Sequence, residues 1–116
     1  MTDNKENKND YRQMPIICRS SRVFSLQLVK FFNGCFISIS EDNQKIGSLH
    51  VSTANASKVT TAKVIPSKVD SIFLTSISER VALMLNGFTI VNFSASRALN
   101  KLDMEDILSE ILKLIE

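Results

Sequence analysis

Only three glycines occur in the chain, Gly34, Gly47 and Gly87, and they lie far apart. A glycine-rich loop that wraps backbone N–H groups round a phosphate is thereby excluded, and nucleotide binding is not expected. Soft metal ligands are as scarce. Cys18, Cys35 and His50 are too few and too widely spaced for a four-coordinate zinc site, so neither a metal nor another cofactor is expected. Two cysteines also make no disulfide framework, and both are expected to be reduced, buried thiols. His50 is the single histidine. It lies between Leu49 and Val51, and alternation places it on the polar face of a strand as a solvated side chain. No G-x-S-x-G turn precedes a helix, and no serine or cysteine has a placed histidine and carboxylate partner, so an enzyme is not expected.

Charge of one sign is also lacking. Fourteen Lys and Arg stand against twelve Asp and Glu, a formal net charge of +2. The basic residues Arg19, Arg22, Lys30, Lys58, Lys63, Lys68 and Arg97 are scattered among acids, without the aromatic interleaving of an RNA-reading sheet. A solvated charged surface is the expectation, and no nucleic-acid partner. Glu41-Asp42 and Glu105-Asp106 fall in a turn and at a helix start, where a carboxylate has a structural role. No stretch approaches the roughly 20 apolar residues that span a bilayer, so no membrane is expected. The polar opening MTDNKENKNDYRQ lacks the apolar run of a secretory signal, which points to cytoplasm or nucleus.

With 44% hydrophobic and 22% charged residues, the composition is that of an ordinary globular domain. Residues 1–12 carry no apolar period and read as a disordered polar tail, and residues 13–116 as a single α+β domain. The organising stretch is Ile72 to Ser94. Phe73, Leu74, Ile77, Val81, Met84 and Leu85 recur at helical spacing, with Thr75, Glu79 and Ala82 pointing away. Asp70 or Ser71 serves as N-cap, and Asn86-Gly87 ends the helix. A strand follows from Phe88 to Ser94, apolar on both faces, hence central.

Upstream, Met14 to Cys18 reads as a lead-in or edge strand. Val23 to Phe32 alternates with Phe24, Leu26 and Leu28 on one face. Asn33-Gly34 predicts a tight hairpin turn into Cys35 to Ser40, since both central residues of a type I′ turn need positive φ. Ile46 to Ser52, with Leu49 and Val51 inward, completes a three-strand meander. Ala54 to Lys58 is a loop, and Val59 to Ile65 a further strand closed by Pro66. A last helix is capped by Asp103, with an apolar stripe of Ile107, Leu108, Ile111, Leu112 and Ile115. The expected architecture is an antiparallel β-meander sheet with two helices packed on one face, in the order β-β-β-β-α-β-α. Such a sheet leaves one face bare. With Phe24, Leu26 and Leu28 under the helices, Val29, Phe31 and Phe36 fall opposite, together with one face of the last strand, represented by Val91 and Phe93. These five residues are the candidate partner surface.

The run FSLQLVKFFNGCFISISEDNQKIGSLHVS, the segment SERVALMLNGFTIVNFSA and the terminal MEDILSEILKLIE resemble, in order, length and apolar positions, the proteasome assembly chaperones 3 and 4. The resemblance implies a non-enzymatic chaperone that binds 20S proteasome α-ring subunits as part of a small chaperone dimer. The second half would be a sister assembly chaperone or a second copy of the chain. It also implies that attachment uses a folded surface, because the chain's last three residues, Leu114-Ile115-Glu116, lack a penultimate tyrosine. The alternative is a profilin-like or roadblock-like scaffold subunit of another complex, also a small mixed sheet with helices and no active site.

Overall fold

The computed structural model describes residues 10–67 and 69–115. Five strands precede the first helix: β1 (Tyr11–Ile17), β2 (Val23–Phe31), β3 (Gly34–Glu41), β4 (Ser48–Asn55) and β5 (Lys58–Ile65). Helix α1 (Ser71–Leu85), strand β6 (Phe88–Ser94) and helix α2 (Lys101–Ile115) complete the chain. The α+β class and two-helix layout are as expected, with one strand more. The expected tail lies outside the described residues up to position 9, while Tyr11 and Arg12 already belong to β1. Among the described residues no helix is long and apolar enough to cross a membrane.

The sheet order is β1-β2-β3-β6-β4-β5. This corrects the simple meander. β4 does not fold back on β3; β6 inserts between them, parallel to β3 and antiparallel to β4. The connection 42–47 must therefore pass the end of β6, bridging two inter-strand spacings of about 4.8 Å each. Asn92 of β6 anchors it. Its Oδ1 accepts from the Gly47 N–H at 2.8 Å, and its Nδ2 donates to the Lys45 carbonyl at 2.9 Å and to Ser38 Oγ at 3.0 Å.

Two turns also differ from expectation. Phe31 pairs with Gly34, so Phe32 and Asn33 form the β2–β3 turn, and neither Asn33 nor Gly34 has positive φ. Gly34 is needed for another reason: a Cβ there would fall inside contact distance of the Phe88 carbonyl on β6. The stretch Ala54 to Lys58 is a two-residue hairpin turn, with Asn55 opposite Lys58 and Ala56 at φ 58°.

Both helices cover one face. Phe24, Leu26 and Leu28 of β2, Ile37 and Ile39 of β3, and Val91 and Phe93 of β6 pack there against Leu74, Ile77 and Val81 of α1 and Ile107, Ile111 and Ile115 of α2. In α1 Ala82 is buried and Met84 exposed, the reverse of the expected stripe. Asp70 takes the N-cap position with φ 61° but makes no side-chain cap; its Oδ2 instead accepts from the Leu99 N–H at 3.2 Å. Asn86, not Gly87, is the left-handed C-cap. Helix α2 starts earlier than expected because Asn100 is its N-cap. The Asp103 N–H donates to Asn100 Oδ1 at 2.7 Å and the Asn100 N–H to Asp103 Oδ2 at 3.3 Å, a reciprocal capping box.

Candidate partner interface

Directly opposed residues of neighbouring strands point to the same face, so the register sorts the uncovered side into rows. One row runs Tyr11, Val29, Phe36, Ile90, Val51, Ala62 across all six strands. The adjacent row, toward the β2–β3 turn, is Phe31, Gly34, Phe88, Thr53, Thr60. Phe31 is 60% exposed, Phe88 48% and Tyr11 50%, and Phe32 at the turn is fully exposed. On the other side of the first row the character changes. Gln13, Gln27, Ser38 and Asn92 form the next row, and Pro15, Ser25, Ser40 and Ser94 the one after. Gln27 Nε2 donates to Gln44 Oε1 at 3.0 Å and Gln44 Nε2 to Ser25 Oγ at 3.3 Å, so the connection 42–47 closes over this polar half. The open face is therefore apolar toward the turn and polar in the middle rows, with Ile17 and Val23 exposed again at its far corner. An aromatic patch bounded by a hydrogen-bonded rim has the anatomy of a protein interface.

Of the five candidate residues, the structure brings Val29, Phe31 and Phe36 together on this face. Val91 and Phe93 lie on the opposite, helix-covered side, 0% and 4% exposed, and are corrected to core residues. The parity of β6 decides this: Val91 and Phe93 are in register with Ile37 and Ile39. Their places on the open face are taken by Phe88 and Ile90, with Tyr11 and Val51 at the flanks. The Phe88/Ile90 alternation was visible in the sequence; which parity faced outward was not.

Where α1 lies over β4 and β5, the contact is polar. His50 is fully buried, correcting the solvated placement, because His50 and Ser52 point under the helix while Leu49 and Val51 point to the open side. Ser78 Oγ donates to Ser52 Oγ at 2.6 Å, Ser52 and Thr61 hydroxyls are 2.7 Å apart, and Thr61 Oγ1 donates to Glu79 Oε2 at 2.6 Å. This chain of hydroxyls attaches α1 to β4 and β5. His50 Nδ1 lies 3.3 Å from Thr75 Oγ1. Burial, and secondarily the nearby Lys63 charge, hold the His50 pKa below its ordinary value. The unfolded chain then binds a proton more readily than the folded one. His50 thus favours the fold above about pH 6.5, and that contribution is lost as pH falls through its lowered folded value. We expect urea midpoints of the wild type to fall between pH 7.5 and 5.5 and those of His50→Leu to fall less; equal slopes would remove His50 as the cause.

A second polar cluster joins three segments far apart in the chain. Arg22, expected on the surface, is buried, and its guanidinium uses all five N–H donors. Nε and Nη2 donate to the two Glu41 carboxylate oxygens at 2.9 and 2.7 Å, and Nη2 also to the Arg97 carbonyl at 3.0 Å. Nη1 donates to the Ala98 carbonyl at 2.9 Å and to Asp103 Oδ2 at 3.2 Å. Ser96 donates to Glu41 from both its N–H and its hydroxyl, and Ser20 Oγ donates to Asp103 Oδ1. Hydrogen bonding from Arg22 holds the Glu41 pKa down to about 2, outweighing its burial. For Asp103, burial acts upward but is outweighed by the Ser20, Asn100 and Arg22 contacts, and the net shift is downward. On the surface, Arg19 pairs with Glu105 and Asp106. Both cysteines are buried and free; burial pushes the Cys35 thiol up to about 11 and raises Cys18 as well. A raised thiol pKa disfavours the thiolate, and the hydrogen-bond partner of His50 is a hydroxyl rather than a carboxylate, so none of the three is activated for nucleophilic work.

The fold and face define a small α+β domain whose sheet leaves one side uncovered by helices and apolar in one half. Among solved structures, it is similar to a chain of a chaperone complex for yeast 20S proteasome assembly, with a TM-score of 0.62 and 15% identity over 91% of this chain and 97% of that one. That likeness shows a shared fold. No protein-family model and no curated protein matches the sequence.

Proposed function

We propose that the protein is a non-enzymatic chaperone of 20S proteasome assembly, acting in the cytoplasm or nucleus as half of a small chaperone dimer that binds α-ring subunits. The observation that carries this reading is the likeness, along nearly the whole length of both chains, to a member of a proteasome-assembly chaperone complex. The apolar half of the open face supports it, because an aromatic patch of this kind suits a sister chaperone better than a small substrate. The α subunits would then bind elsewhere on the dimer, through folded surface. Affinity purification of the tagged chain from its native lysate, followed by mass spectrometry, tests the reading. Recovery of α subunits with a second small chaperone and without mature β subunits is the expected result. Recovery of a stable, unrelated complex would favour the profilin-like or roadblock-like scaffold instead.

A further inference from the structure

The sheet has two edges, and they differ. β1 carries Pro15 in its middle, which removes a backbone N–H and blunts that edge. β5, at the other edge, has no proline between Lys58 and Ile65 and reads Lys-Val-Thr-Thr-Ala-Lys-Val-Ile, mostly β-branched. Its straight portion is short. The turn at 56–57 precedes it, and a bulge at Val64 ends it, since Lys63 lies opposite His50 while Ile65 lies opposite Leu49. Lys58 to Lys63 remain, with Thr60 and Thr61 in the centre.

We infer that the free edge of β5 pairs antiparallel with the same edge of a second copy, about a two-fold axis through Thr61. Three features of the chain select this occupant and register. Five of the six straight residues are then paired with one another: Thr61 with Thr61, Thr60 with Ala62, and Val59 with Lys63 of the other copy. The two Lys63 side chains stand four residues apart along the strand, about 13 Å, beyond the screening length at physiological salt; centring on Lys63 would set them face to face. Second, charge complementarity appears. Neither Lys63 nor Glu79 has an ion-pair partner among the described residues. Glu79 is held over Thr61 by their 2.6 Å hydrogen bond. In the pair, Lys63 of the second copy is the diagonal neighbour of Thr61, roughly 7–8 Å away between Cα atoms and within a lysine's reach of Glu79. The contact occurs twice by symmetry. Third, the open-face rows join. Ala62 ends the Tyr11–Val29–Phe36–Ile90–Val51 row and Thr60 ends the Phe31–Gly34–Phe88–Thr53 row, so pairing Ala62 with Thr60 runs one row of each copy into the adjacent row of the other. The open faces of the two copies then form one continuous surface, joined through Ala62, Thr60 and Thr53.

A charge-swap mixture tests this. Wild-type chain should show concentration-dependent dimerisation in sedimentation velocity. Lys63→Glu alone and Glu79→Lys alone place like charges together twice per dimer, so each should weaken self-association by about tenfold or more. Mixed one to one, the two variants set opposite charges together at both contacts: the carboxylate introduced by Lys63→Glu meets the ammonium introduced by Glu79→Lys, and the native Lys63 meets the native Glu79. Dimerisation should then return to near the wild-type level. Circular dichroism confirms that each variant is folded. A wild type that stays monomeric throughout the accessible concentration range overturns the inference, as does a mixture that stays as weak as its components, or single variants that dimerise like wild type. The inference stands apart from the open-face reading: Phe36→Asp should leave this self-association intact.

Discussion

Arg22→Ala should be the most destabilising substitution of a polar side chain in this protein. It leaves Glu41 and Asp103 buried with no cation between them, a change that typically costs about 3–5 kcal/mol. For a domain of this size the melting temperature should fall by more than about 10 °C. Arg22→Lys should recover only part of the loss, because an ammonium is a point charge and cannot fork onto both Glu41 oxygens while reaching the Arg97 and Ala98 carbonyls. The acid limb of the stability curve gives a second readout. Glu41 titrates lower in the fold, at about 2, than in the unfolded chain, near 4.5. Its contribution is therefore complete above about pH 4.5 and is lost as pH falls toward 2. In Arg22→Ala that dependence should shrink. A variant melting within a couple of degrees of wild type would mean that the cluster does not hold α2 and the segment 95–100 to the sheet.

The second large effect concerns the open face. Phe36 sits in the middle strands of the apolar row, flanked by Val29 and Ile90. Under the proposed function, Phe36→Asp buries an unpaired carboxylate on pairing with the sister chaperone, costing several kcal/mol, so affinity should fall by at least about a hundredfold. The isolated chain should remain folded by circular dichroism, since the side chain lies outside the helix-covered core. Phe31→Asp, at the exposed edge of the patch, should act in the same direction but less strongly. Unchanged pairing by Phe36→Asp in a sedimentation or calorimetric titration would move the interface elsewhere.

Much of this arrangement was written locally. The alternation of Phe24, Leu26 and Leu28 set the parity of β2, and with it the outward placement of Val29, Phe31 and Phe36, because side-chain direction along a strand has period two. β4 misled for a physical reason: its helix-facing residues are His50 and Ser52, with Ser52 bonded to the Ser78 and Thr61 hydroxyls and His50 Nδ1 beside Thr75 Oγ1, while its apolar Leu49 and Val51 face the open side. Hydrophobicity marks the covered face only where the covering residues are themselves apolar, and over β4 and β5 helix α1 makes its contacts through Ser78, Thr75 and Glu79. The placement of β6 between β3 and β4 depends on pairing between segments distant in sequence, so Val91 and Phe93 could not be assigned a side in advance. The same holds for the ionic cluster. Arg22 lies 19 residues from Glu41 and 81 from Asp103, and nothing in the local sequence of any of them announces the others. Asp103 does lie at the helix start, but the side chain that accepts from a free N–H of the first turn is that of Asn100.

On the proposed function, the sister chaperone sits on the apolar half of the open face. Hydroxyl-radical footprinting of the free chain and of the chain in complex with its co-purified small partner tests it most directly, because it reads side-chain access rather than affinity. Phe31, Phe36 and Phe88 are expected to become protected in the complex, while Ile72 and Leu102, exposed on the helical side, are oxidised as before. Protection of Ile72 and Leu102 with Phe31, Phe36 and Phe88 unchanged would contradict it.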